Sequence, residues 1–340
     1  MRRSSAGFAL AAVLWLLAGL AIVVSLVNDA ALTSAERVRQ LRERADFVKS
    51  ALTTRAHMVY FTSLAKPQSS GFANGDALLL ADETPYRFDA LSVLRIQDTG
   101  GLINLNRLNR PTLERFMESC AVPQEQISFL IDALEDYTDE DDLQRINGAE
   151  KSTYAQEGKP APRNAPLLSV NEVWQVYGWG SYRKLWEANG CARALTTLGT
   201  AGLLGPSVNL ATAPLMVLRA SGVDEASAQD VIAARSSAQS VAERVANAAA
   251  ISGNTGMFGL SNSVVQNELR VTHEHSSLPW TIEYTFKLDS SSDEKPWSIA
   301  QPTISARTFT PILPSSRALA WPLDGSKTPL PSDANPVLPF

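Results

Sequence analysis

The chain has 340 residues, 45% hydrophobic and 19% charged, enough to bury a sizeable core and to hold an anchor plus one large or two smaller domains. A formal net charge of −5 argues against non-specific nucleic-acid binding and against a polybasic membrane-surface protein, since both need clustered positive charge. The two cysteines, Cys120 and Cys191, belong to no C-x-x-C, which speaks against a metal or thioredoxin-like pair. Two readings remain for them: a disulfide in an oxidising compartment, or two buried thiols.

From Phe8 to Val27 run 20 residues, FALAAVLWLLAGLAIVVSLV, with no charge and a single hydroxyl, Ser25. At ~1.5 Å per residue such a helix matches the ~30 Å hydrocarbon layer. It is longer than the apolar core of a signal peptide, about 7–15 residues. Arg2 and Arg3 stand before it with no acid, which predicts a cytoplasmic N-terminus and a body on the far side of the membrane. Ser25–Ala31, SLVNDAA, is a poor fit to an A-x-A cleavage site. The basic stretch ending in Gly7, followed by Phe8 and an unbroken apolar run, resembles a prepilin peptidase site. That resemblance implies cleavage between Gly7 and Phe8, with Phe8 N-methylated; the other reading is an uncleaved signal anchor. Beyond the span, Leu32, Val38, Leu41, Ala45, Val48 and Leu52 recur at helical spacing among Glu36, Arg37, Arg39, Arg42, Glu43 and Arg44. The pattern continues the helix as an amphipathic one.

Strand-like runs follow at Ala77–Leu80 and Phe88–Ile96, then a turn, Asp98-Thr99-Gly100-Gly101. After Leu102–Asn106, Pro111 suits the first turn of a helix that reaches about Cys120. A break near Val122-Pro123 precedes a second helix, from Gln124 to about Leu134. The plan recurs: Ser207–Leu210, then Thr212-Ala213-Pro214, a helix ending near Ser221-Gly222, and another from about Asp224 to Arg235. Two helical hairpins of one design imply an internal repeat or a shared packing need. Hairpins of this kind hold DNA backbone through a Gly-rich turn and basic residues. Here Ala121-Val122-Pro123 has no Gly and the next helix carries Glu125, Asp132, Glu135 and Asp136, so protein packing is the expected use. Strands are expected from Ser263 to about Glu274 and over Pro279–Leu288, with a turn at Ser290–Lys295. The Pro- and Ser-rich tail beyond Thr310 reads as a loosely ordered extension.

One region carries candidate chemistry. Asp136, Asp139, Asp141 and Asp142, followed by Glu150, concentrate hard oxygen ligands on a turn, a composition suited to Ca²⁺ with its 6–8 oxygens. The D-x-D-x-D-G series of an EF-hand is missing, and a solvated acidic surface is the competing reading. His57 falls on the N-terminal helix. His273 and His275 share one face of a strand, where a solvated edge is expected, since no third zinc ligand is evident. G-x-S-x-G, H-E-x-x-H and P-loop motifs are absent from the sequence, and no enzyme is read from it.

Several motifs occur in a shared order: Gly101-Leu102-Ile103-Asn104-Leu105-Asn106; then Asp136, Asp139, Asp141, Gly148-Ala149-Glu150 and Tyr154; then Asn164, Pro166, Ser169 and Glu172. In this order they resemble the K family of minor pseudopilins of bacterial type II secretion, over about residues 1–290. Tyr137 replaces the family's Trp, Val173 stands where Leu is usual, and Asn209-Leu210-Ala211-Thr212-Ala213 lacks a second Asn. Most pilins carry Glu at the fifth mature position. Here that position is Ala12, an absence for which the K family is known. The resemblance implies an α+β fold: an N-terminal membrane-spanning helix and a pilin-like helix-on-antiparallel-sheet core with a large inserted α-helical domain. The corresponding division is a leader (1–7), the span (8–27), pilin-like helix and first strands (28–100), inserted helical domain (101–250), C-terminal strands (251–310) and tail (311–340). It further implies structural calcium held by Asp136, Asp139, Asp141 and Glu150, with Asp142 beside them. The implied role is a non-catalytic inner-membrane subunit with a periplasmic body, processed by prepilin peptidase. It would join pseudopilins I and J at the pseudopilus tip, initiating and capping the filament that exports folded proteins. A minor pilin of a type IV pilus or competence filament would share the leader and helix, but not the Asp136–Glu150 and paired Asn-Leu motifs.

Overall fold

The computed structural model describes residues 6–75, 77–88, 92–107, 109–198, 208–237, 260–261, 268–275, 278, 280–288, 297–299, 303–306 and 319–322. The fold is α+β and divides into two compact units, Met1–Thr53 and Thr54–Phe340, with the boundary inside helix α1 (Ala6–Leu64). In the first unit, α1 is apolar and long enough to cross a membrane. Leu14, Trp15, Leu16, Leu20 and Ile22 all face outward, as side chains meant for lipid would. Past the apolar stretch Arg39 bridges Glu36 and Glu43 at i−3 and i+4, both at 2.7 Å, and the helix turns polar.

The second unit opens with the last turns of α1, whose Thr54, Met58, Phe61 and Thr62 are buried. A three-stranded antiparallel ribbon follows, formed by β1 (Lys66–Pro67), β2 (Gly71–Asn74) and β3 (Ala77–Leu80). Next come β4 (Tyr86–Arg87) and β5 (Ser92–Asp98). The expected strand Phe88–Ile96 is thus displaced toward Asp98, with Tyr86–Arg87 as a separate piece.

Between β5 and the returning strands lies the helical domain. Its parts are β6 (Ile103–Asn104), α2 (Arg110–Ser119), α3 (Gln124–Thr138), α4 (Lys151–Gln156), α5 (Arg183–Asn189), β7 (Leu195–Thr196), β8 (Val208–Asn209), α6 (Leu215–Ala220), α7 (Glu225–Ser237) and β9 (Leu260–Ser261). Asn109 caps α2 by accepting from the Thr112 N–H, and Pro111 sits in the first turn, where a missing N–H costs nothing. The two hairpins are structural repeats. Val122 N–H donates to Met117 O at 3.0 Å and Ala121 N–H to Glu118 O at 3.1 Å; Val223 N–H donates to Leu218 O at 3.1 Å and Gly222 N–H to Arg219 O at 2.9 Å. These are matching Schellman closures that return the helix-end carbonyls to donors. The left-handed residue is Gly222 (φ 93°) in one and Ala121 (φ 62°) in the other. α2 lies against α6, so the hairpins pack on each other. The first hairpin also packs on an aromatic cluster in which Trp186 is ringed by Phe116, Trp174, Trp179 and Tyr182 at centroid distances of 5.6, 6.1, 5.6 and 6.5 Å. Cys120, at the end of α2, is joined by a disulfide to Cys191, with Cα atoms 6.1 Å apart.

The chain returns through β10 (Glu268–His275), β11 (Trp280–Leu288), β12 (Trp297–Ile299), β13 (Thr303–Ala306) and β14 (Leu319–Ala320). The sheet order is β12-β11-β10-β5-β4-β14, with β13 pairing β11 beyond β12. Residues 263–267 of the expected Ser263–Glu274 strand, and the expected turn at 290–295, lie outside the described residues. The order places β10 between β5 and β11, which corrects the reading of a solvated histidine edge. His273 stands opposite both Leu94 and Ile282 and is fully buried, while His275 is partly covered. His57 packs edge-on against Phe88 at 5.0 Å. The tail needs correction too. Leu319–Ala320 runs parallel to Tyr86–Arg87. Trp321 is buried beside Phe61, Tyr86 and Phe88, at 6.4, 6.0 and 5.9 Å. Apolar burial of an indole outweighs the low strand propensity of its Pro-rich surroundings.

Two polar junctions tie the helical domain to the sheet. Asp98, fully buried, accepts from Gly100 N–H (3.0 Å), Asn209 Nδ2 (2.8 Å) and Thr212 Oγ1 (2.9 Å). Asn209 Nδ2 also reaches Ser69 O at 2.9 Å. Both carboxylate oxygens of Glu83 accept from Arg193 Nη2, at 3.0 and 2.9 Å.

Candidate functional site

The 3.6-residue period of α3 puts Asp132, Glu135, Asp136 and Asp139 on one face, over its last two turns. That end of a helix carries the negative pole of its dipole, so four acids there require nearby cations. Two arginines supply them. Arg110, from α2, reaches Asp132 at 2.6 Å and Glu135 at 3.2 Å. Arg145, from the loop after α3, reaches Glu135 at 3.0 Å, Asp136 at 2.7 Å and also Asp139. The backbone N–H of Arg145 donates to both oxygens of Asp136, at 3.3 and 3.2 Å. Asn147 donates to Asp132 from its backbone and its side chain, at 3.2 and 3.1 Å. Burial raises the Asp132 carboxyl pKa, but Arg110 and Asn147 outweigh it and hold the group below the usual carboxylate range. The Asp139 hydrogen bond, with help from Asp136, raises the Arg145 guanidinium pKa further. These contacts also explain why α3 continues to Thr138 rather than ending near Leu134. Asp136 is fully buried and Tyr137 nearly so, and their tertiary partners hold the extra turn.

The residues that carry the family resemblance gather around this loop. Gly148 is forced: a Cβ there would lie 1.9 Å from Asp136 Oδ2. Asn164 donates to Asp141 O at 2.9 Å and Asp142 Oδ1 at 3.0 Å. Asp141 Oδ1 accepts from Leu143 N–H at 2.8 Å. Tyr137, in the place of the family's Trp, donates to Glu172 Oε1 at 3.3 Å, and Glu172 also takes Leu168 N–H at 2.7 Å. Tyr154 accepts from Tyr177 N–H at 2.8 Å. Asn106 clasps Leu167 on both sides, accepting its N–H at 2.7 Å and donating to its carbonyl at 2.9 Å. The asparagines of the Gly101–Asn106 stretch are therefore staples between distant loops.

Glu150 caps α4 through Lys151 N–H at 3.3 Å and is 4% exposed. Burial pushes its carboxyl pKa up, and the negative charges of Asp136, Asp139 and Asp142 push it higher. Its Oε1, and Oδ1 of Asp139, are buried without a hydrogen-bond partner. Orphaned carboxylate oxygens beside other carboxylates fit a hard cation, so the residues present suit the calcium that the resemblance implies. The five expected ligands are not gathered, however: Asp136 and Asp139 turn to Arg145, while Asp141 and Asp142 face Leu143 and Asn164. Among the described residues no three acidic, histidine or cysteine side chains converge as a ligand set. Sequence reasoning missed Arg145, Arg110 and Asp132. One signal was available for the first: Arg145 is the one cation between Asp139 and Glu150. Gly7 and Phe8 lie in the first turn of α1.

Residues 93–185 match the family model of the type II secretion system protein K, first domain. That stretch covers β5, the first hairpin, the acidic loop and the Trp-centred core. No curated protein matches the sequence. The fold is similar to a chain in the crystal structure of the GspK-GspI-GspJ complex from the enterotoxigenic Escherichia coli type 2 secretion system. The TM-score is 0.53 at 16% identity, over 79% of this chain and 99% of that one. With its lipid-length apolar helix and α+β body, this chain carries, over residues 93–185, a first domain of type II secretion system protein K, and its fold is similar to that of a chain in the GspK-GspI-GspJ complex.

Proposed function

We propose that this protein is the non-catalytic tip subunit of a type II secretion pseudopilus, anchored in the inner membrane with its body in the periplasm. The observation that carries the tip assignment is Ala12 within the apolar helix. A carboxylate in mid-bilayer costs about 2.5–3.5 kcal/mol unless paired. In a filament the partner is the amine of the next subunit, and a subunit with none above it has no use for that carboxylate. Arg2 and Arg3 support a cytoplasmic N-terminus. Prepilin peptidase would cut between Gly7 and Phe8 and leave the apolar helix to pack with the helices of pseudopilins I and J. The similar solved chain was crystallised in a complex with GspI and GspJ, which supports those partners. Asp136, Asp139, Asp141 and Glu150, with Asp142, would hold calcium as a structural ion that neutralises their mutual repulsion.

Two measurements test the reading. Mass spectrometry of the mature protein should find an N-methylated Phe8, and the full chain should co-purify in detergent with the I and J subunits of its own system. An intact Met1, or incorporation all along the filament, would overturn it. Calcium titrated into the full chain in detergent should release heat that an Asp139→Ala, Asp141→Ala variant does not. Equal heats would remove the ion from the proposal.

A further inference from the structure

The acidic end of α3 already contains a cation of its own. Arg145 lies against Glu135 and Asp136 at 3.0 and 2.7 Å and against Asp139, three of the carboxylates that crowd this helix end. It does not complete them. Glu150, 4% exposed, keeps Oε1 unpartnered, and Asp139 spends Oδ2 on the arginine while Oδ1 stays unpartnered. The arginine side chain also has a route to solvent. Its side chain is 37% exposed, and its loop has neither helix nor strand between Asp139 and Asn147. Its neighbours Leu143 and Ile146 are 76% and 98% exposed, so swinging its side chain out, with the Arg145 backbone N–H left on Asp136, would strip no apolar core.

A guanidinium cannot lose its proton at any physiological pH. A divalent cation on Asp136 and Asp139 would therefore face a fixed positive charge at contact distance, and like charges that close in a partly dry site repel strongly. We propose that Arg145 is a built-in competitor, holding the Asp136–Asp139 carboxylates when divalent cation is scarce and swinging out to solvent when they are ligated. The inference rests on the calcium reading above and adds its regulation. Apparent affinity is then the intrinsic affinity multiplied by the fraction of time the arginine is out, so the threshold at which the loop converts is set by one side chain. A subunit that meets calcium only outside the cytoplasm would thus have its acidic loop held together beforehand by its own arginine.

The test is calorimetric titration of calcium chloride into the full chain in detergent, for wild type, Arg145→Gln and Arg145→Lys, with thermal unfolding of each with and without the ion. Arg145→Gln is expected to bind calcium at least about tenfold more tightly than wild type. Arg145→Lys, with one ammonium in place of a fork, should fall between them. Without calcium, Arg145→Gln should melt below wild type, and at saturating calcium the two should converge. Should Arg145→Gln fail to fold without calcium, the lysine variant carries the comparison. Affinity unchanged or weaker in both variants overturns the competitor while leaving the calcium reading intact. Absence of binding in all three proteins overturns both.

Discussion

Replacing Asp98 by alanine should cost this protein about 3–5 kcal/mol, because the carboxylate is the common acceptor where sheet and helical domain join. Among the described residues, donors converge on it from Gly100 N–H at 3.0 Å, Asn209 Nδ2 at 2.8 Å and Thr212 Oγ1 at 2.9 Å. The threonine hydroxyl can rotate toward another acceptor, and Asn209 keeps its bond to Ser69 O at 2.9 Å with its other hydrogen. Two buried N–H groups would still be left unpaired, at about 1–3 kcal/mol each, with the removed atoms leaving a small cavity. Removing a buried charge returns part of this loss and roughly offsets the cavity, which keeps the total near the middle of that sum, about 3–5 kcal/mol. Asp98→Asn retains the shape and one acceptor oxygen but turns an N–H₂ toward donors, so it should cost about 1–3 kcal/mol. Urea unfolding of the full chain in detergent, followed by tryptophan fluorescence, reads both. The seven tryptophans of the chain include Trp174, Trp179 and Trp186 of the helical core, so separation of that domain from the sheet would be visible. If Asp98→Ala shifts stability by less than about 1 kcal/mol, the donors find other partners and the reasoning is wrong.

Ala121 holds a left-handed φ of 62° where the second hairpin uses Gly222, so Ala121→Gly should stabilise by about 0.5–1 kcal/mol and Gly222→Ala should destabilise by about 1 kcal/mol. Shifts in urea midpoint at constant slope would show it. The Cys120–Cys191 bridge closes a loop with a sequence separation of 71, worth about 4 kcal/mol in the chain-entropy model. Reduction, or the double serine variant, should lower the melting temperature accordingly, and no shift would contradict the model. Glu150 is held above its ordinary pKa of 4.5 by burial and neighbouring acids, so in the folded state it resists losing its proton. Its penalty is absent below 4.5 and grows as pH rises through the raised folded value. Without calcium, Glu150→Gln should therefore be more stable than wild type at neutral pH, with the difference vanishing under acid, while Asp132, held low by Arg110, contributes in the opposite direction. A pH-independent difference would exclude the mechanism.

Much of this architecture could be read from local pattern. Twenty uncharged residues from Phe8 announce a lipid-length helix because the period and length of a helix are fixed by its own hydrogen bonds. The paired Asn-Leu and Pro signals announced both hairpins, because capping and turn closure involve residues within six positions of one another. The site was legible only in its acids. Its cation, Arg145, engages carboxylates six to ten residues earlier on a helix face that only folding presents, and Arg110 reaches Asp132 from another helix. Asp98 meets Asn209 and Thr212 across 111 and 114 residues. His273 is buried because a strand from each side covers it, and Trp321 because an aromatic pocket lies beside β4. Periodicity, caps and membrane length are properties of one stretch of chain; which charges meet, and which side chains lose water, depends on stretches that sequence order holds apart.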